Sequence, residues 1–251
     1  MTTAAKQDEA RLAVLIDAEN ASAQYLDPLL VEIAKYGRAS VRRAYGDWTS
    51  NQLAQWKTEL LANSVQPIQQ FSYTTGKNAT DSALIIDAMD LLHTGNLDGF
   101  CLVSSDSDFT RLAARIREEG LTVYGFGERK TPKAFVSACD TFIYVENLLP
   151  RSAPAAHADA PTLSRDPLLD RLLSEAVESA AGDDGWANLG AVGSNLSRLA
   201  SDFDSRTWGF GKLKDLMSAH PDYLVQSRSP AEGKTPSAHV RRRARRGRTP
   251  A

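Results

Sequence analysis

The chain has 251 residues, a mass of 27.3 kDa and a net charge of −2, with 42% hydrophobic and 24% charged residues. This length accommodates one medium domain or two small ones, and the composition is that of a folded globular protein. With only two cysteines, Cys101 and Cys139, a disulfide framework is excluded. The sequence has no apolar run of about 18 residues, so we expect no membrane span. The polar, acidic start lacks the apolar stretch of a signal peptide. We therefore expect a soluble, cytoplasmic protein with reduced cysteines.

The charge is distributed unevenly. Residues 1–150 hold 14 Lys and Arg against 19 Asp and Glu (net −5), residues 151–230 hold 8 against 11 (net −3), and residues 231–251 hold 7 against 1 (net +6). An acidic body with a basic end is typical of a protein that meets a polyanion through that end. A solvated terminus explains the same charge, so composition leaves both interpretations open.

Strand and helix patterns alternate through the first 150 residues. Short aliphatic runs predict strands at 12–16, 41–45, 68–71, 100–103, 123–126 and 142–145. Longer segments with a 3.6-residue apolar period predict helices at 23–36, 51–62, 81–93, 108–119 and 132–139. The alternation predicts an α/β fold with a mostly parallel sheet between two helical layers. All strand-to-helix loops then lie at one edge, where such sheets bind ligands.

Four aspartates fall at this predicted edge. Asp17 ends the first strand, Asp81 begins a helix after the loop 73–80, and Asp106 and Asp108 follow the strand at 100–103. Carboxylates gathered in one crevice repel each other unless a cation neutralises them, and Mg²⁺ or Mn²⁺ prefers such oxygen ligands. A metal-activated water can attack phosphorus while the ion offsets phosphate charge. The cluster therefore predicts hydrolysis of a phosphate ester.

Each candidate residue also has a structural interpretation. A single aspartate at a strand end is more often a helix cap or turn residue, and Asp108 suits the first turn of its helix. Asn20 either orients water or substrate, or caps the following helix. Lys77 either contacts phosphate or only adds solubility. Asp87 and Asp90 form a polar stripe that is solvated or paired with a neighbouring helix.

The C-terminal part has a different character. Residues 150–164 are rich in Pro and Ala and predict a linker. Residues 165–227 carry helical periods at 166–181, 187–200 and 209–218 and a short strand at 223–226, which predicts a small α-rich domain. Residues 228–251 show no periodicity, so we expect a disordered basic tail.

Four N-terminal segments resemble the LabA-like NYN domains of the PIN-like nuclease superfamily. They are IDAEN (16–20), GKNATDSALIIDAMDLL (76–92), SSDSDF (104–109) and ACDTFIYVENL (138–148). The resemblance covers residues 11–149 and implies a three-layer α/β/α sandwich with an Mg²⁺- or Mn²⁺-dependent ribonuclease site. It implies that Asp17, Asp81, Asp106 and Asp108 bind the metal and that Asn20 belongs to the catalytic set. One departure is Ser105, where family members usually have Gly.

Residues 165–227 resemble the OST-HTH/LOTUS module, a winged-helix-like fold considered to bind RNA. The motif lies in 186–226, where residues 208–213 match the glycine-containing stretch before a Lys-rich helix. We expect RNA contacts from the basic residues Lys77, Arg206, Lys212, Lys214, Arg241, Arg242 and Arg243. Trp208 is expected either to stack on bases or, with Phe210, to belong to the core of the small domain.

These features predict a metal-dependent ribonuclease whose C-terminal domain and Arg-rich tail hold RNA. The alternative is a non-catalytic RNA-binding or regulatory adaptor that retains the acidic pocket. The complete set of acids favours the enzyme. The sequence leaves open which RNA is cut, whether cleavage is internal or from an end, and whether the chain forms a homo-oligomer.

Overall fold

The computed structural model describes residues 9–71, 79–149, 166–228 and 236–243, and the chain divides into two compact units at Pro150. Lys77, the linker 150–164 and the last eight residues of the predicted tail lie outside the described residues. The strands of the N-terminal unit are β1 (Arg11–Asp17), β2 (Arg38–Gly46), β3 (Gln66–Gln69), β4 (Gly99–Val103), β5 (Thr122–Gly127) and β6 (Thr141–Tyr144). Its helices are α1 (Leu26–Ile33), α2 (Ala54–Ala62), α3 (Ala79–His93), α4 (Thr110–Glu118) and α5 (Lys133–Ala138).

The six strands form one parallel sheet in the order β3-β2-β1-β4-β5-β6. The chain moves outward from β1 to β3 and then returns to place β4 on the other side of β1. Such a switch in strand order opens a crevice beyond the carboxyl ends of the two central strands. Because Ile16 pairs with Val103, these strands end at the same level and bring Asp17 beside the loop that follows β4.

Helices cover both faces of the sheet, so the expected three-layer α/β/α sandwich is confirmed. Val14 and Ile16 of β1 pack in a core shared with α1 and α2. Ala13 and Leu15 pack in a second core shared with α3, α4 and α5. Successive strand residues point to opposite faces, which explains why β1 reads as an unbroken apolar run. Asp17 lies two residues after Leu15 on the same strand, so its side chain points to the same face of the sheet, the face covered by α3.

Polar contacts fix helix α3 on the sheet. Its Asp87 carboxylate contacts the guanidinium of Arg43 and the hydroxyl of Tyr45, both on β2. Asp87 thus pairs with a strand, whereas the sequence suggested solvent or a neighbouring helix. The helix begins at Ala79, which places Asp81 in its first turn. A half-buried ion pair therefore holds the helix that carries one of the candidate ligands.

The C-terminal unit combines three helices with a small sheet. Its elements are α6 (Pro167–Ala180), β7 (Ala187–Asn188), α7 (Leu189–Leu199), α8 (Leu213–Ala219), β8 (Tyr223–Arg228) and β9 (Ser237–Arg242). The strands are antiparallel in the order β7-β9-β8. Leu173, Val192, Leu216 and Val240 belong to one core, formed by helices and sheet together. The helical C-terminal domain expected from the sequence is confirmed, with a sheet added to it.

The prediction of a disordered tail over 228–251 is wrong for Ser237–Arg242. These residues form β9, which pairs with β8 from Arg228 opposite Ser237 to Tyr223 opposite Arg242. Val240 is fully buried in the core of the unit. The segment is not detectable in the sequence because one strongly apolar residue in six gives no visible alternation, and because Val240 packs against residues distant in sequence, such as Leu173 and Val192.

Both cysteines are buried free thiols, so no disulfide links them. Burial raises the pKa of the Cys139 thiol to about 12, which keeps it protonated at neutral pH. Among the described residues, no helix combines the length and apolarity needed to cross a membrane.

Candidate active site

Asp17 lies at the base of the crevice and is fully buried. Its Oδ2 accepts hydrogen bonds from Ser104 Oγ at 2.7 Å and from Asn20 Nδ2 at 2.9 Å. Its Oδ1 accepts the backbone N–H groups of Glu19 and Asn20, each at 3.2 Å. Burial nevertheless raises the pKa of Asp17, because desolvation outweighs these hydrogen bonds. The loop after β1 therefore holds this carboxylate rigidly.

The loop after β4 supplies two further acids. Asp106 accepts the backbone N–H of Asp108 at 2.9 Å and so caps the 3₁₀ turn Ser107–Phe109 that leads into α4. Asp106 therefore provides the cap, while Asp108 lies in the first turn, as the sequence suggested. Ser104 Oγ accepts the backbone N–H of Asp106 at 3.1 Å while it donates to Asp17. One hydroxyl therefore connects the two acidic loops.

Three carboxylates converge where α3 meets this loop. Asp81, Asp106 and Asp108 each place an oxygen so that the three atoms lie within 4.8 Å of one another. Burial and, after it, the negative charges of Asp17, Asp106 and Asp108 together raise the pKa of Asp81 to about 6. Both the burial and the neighbouring carboxylates therefore disfavour the ionised form of Asp81.

A hard divalent cation fits this set of donors. All three donors are carboxylate oxygens, which Mg²⁺ and Mn²⁺ prefer over softer metals. The pKa of Asp81 is raised by burial and then by repulsion from the neighbouring carboxylates, and a cation would offset that repulsion. Asp17 is not part of the set within 4.8 Å, and its oxygens already accept four hydrogen bonds. The structure thus brings together three of the four predicted ligands and places Asp17 beneath them.

Asn20 acts on Asp17 and does not cap a helix. Both its backbone N–H and its side-chain amide donate to the Asp17 carboxylate. The next helical element is the 3₁₀ turn Ala23–Tyr25, whose N-cap position is Ser22. Of the two interpretations of Asn20, the geometry therefore supports a role at the site, as a residue that orients Asp17.

Sequence analysis missed the part played by the serines of the SSDSDF motif. Besides the bridging Ser104, Ser105 Oγ accepts the backbone N–H of Glu128 at 2.9 Å and ties the β4 loop to the end of β5. Ser105 is not among the residues with positive φ, so serine replaces the family's usual glycine without backbone strain. The clue in the sequence was a pair of hydroxyls directly before the acids.

A largely apolar pocket opens at the same edge of the sheet. Its walls include Ile16 and Leu29 of the α1-side core together with Asn20 and Ser104. Because the last two also hold Asp17, the pocket and the acidic cluster share part of their walls.

The basic residues predicted for the helical part of the C-terminal unit differ in availability. Arg206 forms a close ion pair with Asp204, with its Nη2 2.7 Å from Oδ2 and its Nε also donating to the carboxylate. Its charge is therefore compensated locally. Lys212 and Lys214 are exposed at the start of α8. Among the described residues these lysines form no ion pair, whereas Arg206 does.

The three arginines at the end of β9 and directly after it take three different positions. Arg242 contacts Ser174 and Glu178 of α6, and Arg243 Nε donates to the carbonyl of Tyr223 at 2.9 Å. Arg241 instead lies over the ring of Trp186, with Cζ 4.8 Å from the centroid. A tail predicted as one basic unit is thus divided among separate contacts.

Trp208 belongs to the core of the small domain. Its ring lies 5.5 Å from that of Phe203, and its Nε1 donates to Asp166 at 3.1 Å. Phe210 is buried in the same cluster. Of the two interpretations offered by the sequence, the structure supports packing over base stacking.

Comparison with known proteins agrees with this architecture. The NYN domain model matches residues 11–148, and the OST-HTH/LOTUS domain model matches residues 165–235. The first implies a PIN-like nuclease fold and the second implies RNA binding. The expected boundary of 227 for the second domain is thus extended by eight residues, although the match stops before β9. No curated protein matches the chain.

Three solved structures show similarity to parts of the chain. A protein of unknown function from Vibrio parahaemolyticus shares 18% identity, covering 55% of this chain and 94% of its own, with a TM-score of 0.47. An uncharacterised protein from Nitrosomonas europaea shares 32% identity over 41% of this chain and 96% of its own, with a TM-score of 0.33. A protein from Chromobacterium violaceum shares 33% identity over 34% of this chain and 88% of its own, with a TM-score of 0.26.

The NYN match covers more than half of the sequence and coincides with the unit that holds the acidic crevice. The match begins at residue 11, the first residue of β1, and ends at residue 148, shortly after β6. All four candidate acids lie inside these bounds. On this basis the chain belongs to the NYN domain family.

Proposed function

We propose that this chain is a metal-dependent ribonuclease of the LabA-like type that hydrolyses RNA phosphodiesters. The observation that carries the proposal is the convergence of Asp81 from α3 with Asp106 and Asp108 from the β4 loop, within 4.8 Å of one another. This trio lies in an NYN domain, and an OST-HTH/LOTUS domain follows it in the chain.

The protein's own residues divide the work between binding and orientation. Asp81, Asp106 and Asp108 are the proposed ligands of Mg²⁺ or Mn²⁺, and Asp108 is exposed at the mouth of the crevice, where a polymer can reach it. Asp17 stays buried, adds negative charge beneath the trio, and is oriented by Asn20 and Ser104. When bound, the ion supplies an activated water and offsets the charge of the phosphodiester.

RNA is the proposed substrate because of the second domain. The OST-HTH/LOTUS domain implies RNA binding, and Lys212 and Lys214 present exposed positive charge at the start of α8. Lysines in this setting contact phosphates without reading sequence. The C-terminal unit would therefore raise the local concentration of RNA for the catalytic unit.

A cleavage assay on the full chain tests the proposal. End-labelled single-stranded RNA is incubated with protein and Mn²⁺, Mg²⁺ or EDTA, and products are resolved on a sequencing gel. We expect cleavage with either metal and none in EDTA. Asp106→Asn and Asp81→Asn should each reduce the rate by at least about 100-fold, since each removes a proposed ligand.

Asp90→Asn is the matched control, because Asp90 lies on the same helix as Asp81 but is exposed outside the trio. It should cleave like the wild type. If cleavage persists in both Asp81→Asn and Asp106→Asn, the activity comes from a contaminant or from another site. Tight binding of Mn²⁺ and RNA without turnover, across metals and substrates, would contradict the enzyme and support the adaptor.

A further inference from the structure

A tryptophan with two arginines over it lies on the small sheet of the C-terminal unit. The Cζ atom of Arg228 lies 4.9 Å from the ring centroid of Trp186, and that of Arg241 lies 4.8 Å from it. Both distances are within the range of cation–π contacts. Neither Trp186 nor Arg228 was among the RNA-contacting residues predicted from the sequence.

Strand register places both arginines on the outer face of the sheet. Val240 of β9 is buried in the core, so the next residue, Arg241, points to the opposite face. Arg241 pairs with Leu224 of β8, and Arg228 has the same parity as Leu224. Arg241 is exposed, and the side chain of Arg228 is 40% exposed. The two guanidinium groups are therefore accessible to a ligand.

Local contacts order these side chains before any ligand arrives. Asp184 accepts from Arg228 at 2.7 Å and from the backbone N–H of Trp186 at 3.0 Å. The stem of Arg241 packs over Gly185, where an added Cβ would lie 3.6 Å from the arginine Cδ. Gly185 has a φ of 73°, a conformation that favours glycine. A ligand that binds here pays less conformational entropy than one that must order free arginines.

Charge distinguishes Arg241 from its neighbours. Asp184 compensates Arg228, and Arg242 and Arg243 are engaged by Glu178 and by the carbonyl of Tyr223. Within the described part of the chain, Arg241 makes no salt bridge. Among the described residues its positive charge, like that of Arg243, has no carboxylate partner and remains for an anionic ligand.

We propose that Trp186, Arg228 and Arg241 form a binding platform for single-stranded RNA. The indole orders the two guanidinium groups that lie over it, unpaired bases stack on the outward planes of these groups, and a phosphate pairs with Arg241. Planar stacking surfaces require bases that are free of a duplex, so the platform prefers single strands. The proposal names the RNA contact surface that the proposed ribonuclease function requires and to that extent rests on it.

Fluorescence anisotropy on the full chain tests this platform. The probe is a fluorescein-labelled 20-nucleotide oligo(U), titrated in EDTA so that neither metal nor cleavage affects the result. We expect Trp186→Leu to weaken binding by about 5- to 100-fold, the range expected for lost stacking. Arg241→Gln should weaken it by about fivefold and reduce the slope of log affinity against log salt by about 0.7, as for one phosphate contact.

Two variants serve as controls. Arg171→Gln removes an exposed arginine on α6 and should leave affinity within about twofold, since its side chain is 68% exposed and outside the platform. Trp186→Phe keeps an aromatic plane beneath the two arginines and should retain most of the affinity. Circular dichroism checks that each variant is folded. If Trp186→Leu does not fold, Arg241→Gln, a change at the surface, still tests the platform.

The outcomes separate this platform from nuclease activity. Unchanged affinity and salt slope in Arg241→Gln, or equal losses in Arg171→Gln, would overturn the platform even if the chain cleaves RNA. Failure of the wild-type chain to bind the oligonucleotide in EDTA would overturn it too. A chain that binds through Trp186 and Arg241 yet cleaves nothing would retain the platform and contradict the ribonuclease.

Discussion

Ser104 donates its hydroxyl to the buried carboxylate of Asp17 across 2.7 Å, although the two residues are 87 positions apart. The same oxygen accepts the backbone N–H of Asp106 at 3.1 Å. One buried hydroxyl thus fixes the end of β1 relative to the loop that carries two of the proposed metal ligands.

Replacing Ser104 by Ala should therefore damage both stability and the site. The substitution leaves the Asp17 carboxylate without one donor in a buried position, which costs about 1–3 kcal/mol. Urea unfolding of the metal-free chain measures this loss, and Mn²⁺ titration by calorimetry should show weaker binding. Ser107→Ala, on the exposed side of the same loop, is the matched control. Equal stability of the two variants would show that the hydroxyl is dispensable.

Asp17 and Asp106 should differ in their effect on metal affinity. Asp106→Asn removes a member of the close trio and should weaken Mn²⁺ binding by more than about 100-fold, whereas Asp17→Asn acts through neighbours and should cost about tenfold. Both should abolish cleavage, because both alter the charge of the crevice. Calorimetric titration separates them. Equal losses of affinity would instead make Asp17 a direct ligand.

Ionised Asp81 should destabilise the metal-free fold. Its pKa is about 6 in the folded chain, against a reference of 3.8, so the folded state binds more protons and stability falls as pH rises between these values. The loss is complete above pH 6 and, after solvent screening, is on the order of 1 kcal/mol. Asp81→Asn should raise the melting temperature by about 2–4 °C at pH 7.5.

The same comparison at pH 4.5 should show a smaller difference, because Asp81 is then mostly protonated in the folded wild type. Asp90→Asn, an exposed acid on the same helix, should show no such pH dependence. Saturating Mn²⁺ should reverse the order of the two melting temperatures at pH 7.5, so that the wild type melts at a higher temperature than Asp81→Asn. A melting difference independent of pH would refute the charge repulsion.

The contact between Arg43 and Asp87 should help to hold α3 in place. Both side chains are about three-quarters buried, with exposures of 27% and 25%. A double-mutant cycle with Arg43→Gln and Asp87→Asn should give a coupling of about 1 kcal/mol in urea unfolding. Because α3 carries Asp81, each single variant should also bind Mn²⁺ more weakly. A coupling near zero would mean that apolar packing alone anchors the helix.

Truncations should separate strand β9 from the residues beyond it. A chain ending at Arg243 keeps β9, whereas a chain ending at residue 235 loses Val240 from the core and the pairing partner of β8. We expect cooperative unfolding of the C-terminal unit, followed by circular dichroism, in the first and not in the second. The salt dependence of RNA binding is then compared between the chain ending at Arg243 and the full chain. The difference isolates the contribution of residues 244–251. Equal unfolding would make β9 an accessory strand.

The sequence alone determined much of the N-terminal unit. Strands buried on both faces are short aliphatic runs, and the amphipathic helices between them have a clear period, so their order and type could be predicted. Parallel topology then brought Asp17, Asp81 and the acids after β4 to one edge. These inferences succeed because they depend on local patterns and on the handedness of the connections.

Tertiary structure alone decided how these residues meet. It separates Asp17 from the trio of Asp81, Asp106 and Asp108, because burial and four hydrogen bonds hold its oxygens beneath them. It converts part of a basic tail into β9, because Val240 packs in a core with residues distant in sequence, such as Leu173 and Val192. It also divides the arginines among an acid, a carbonyl and the ring of Trp186. Contacts between distant segments decide which charges remain available, and no local pattern encodes them.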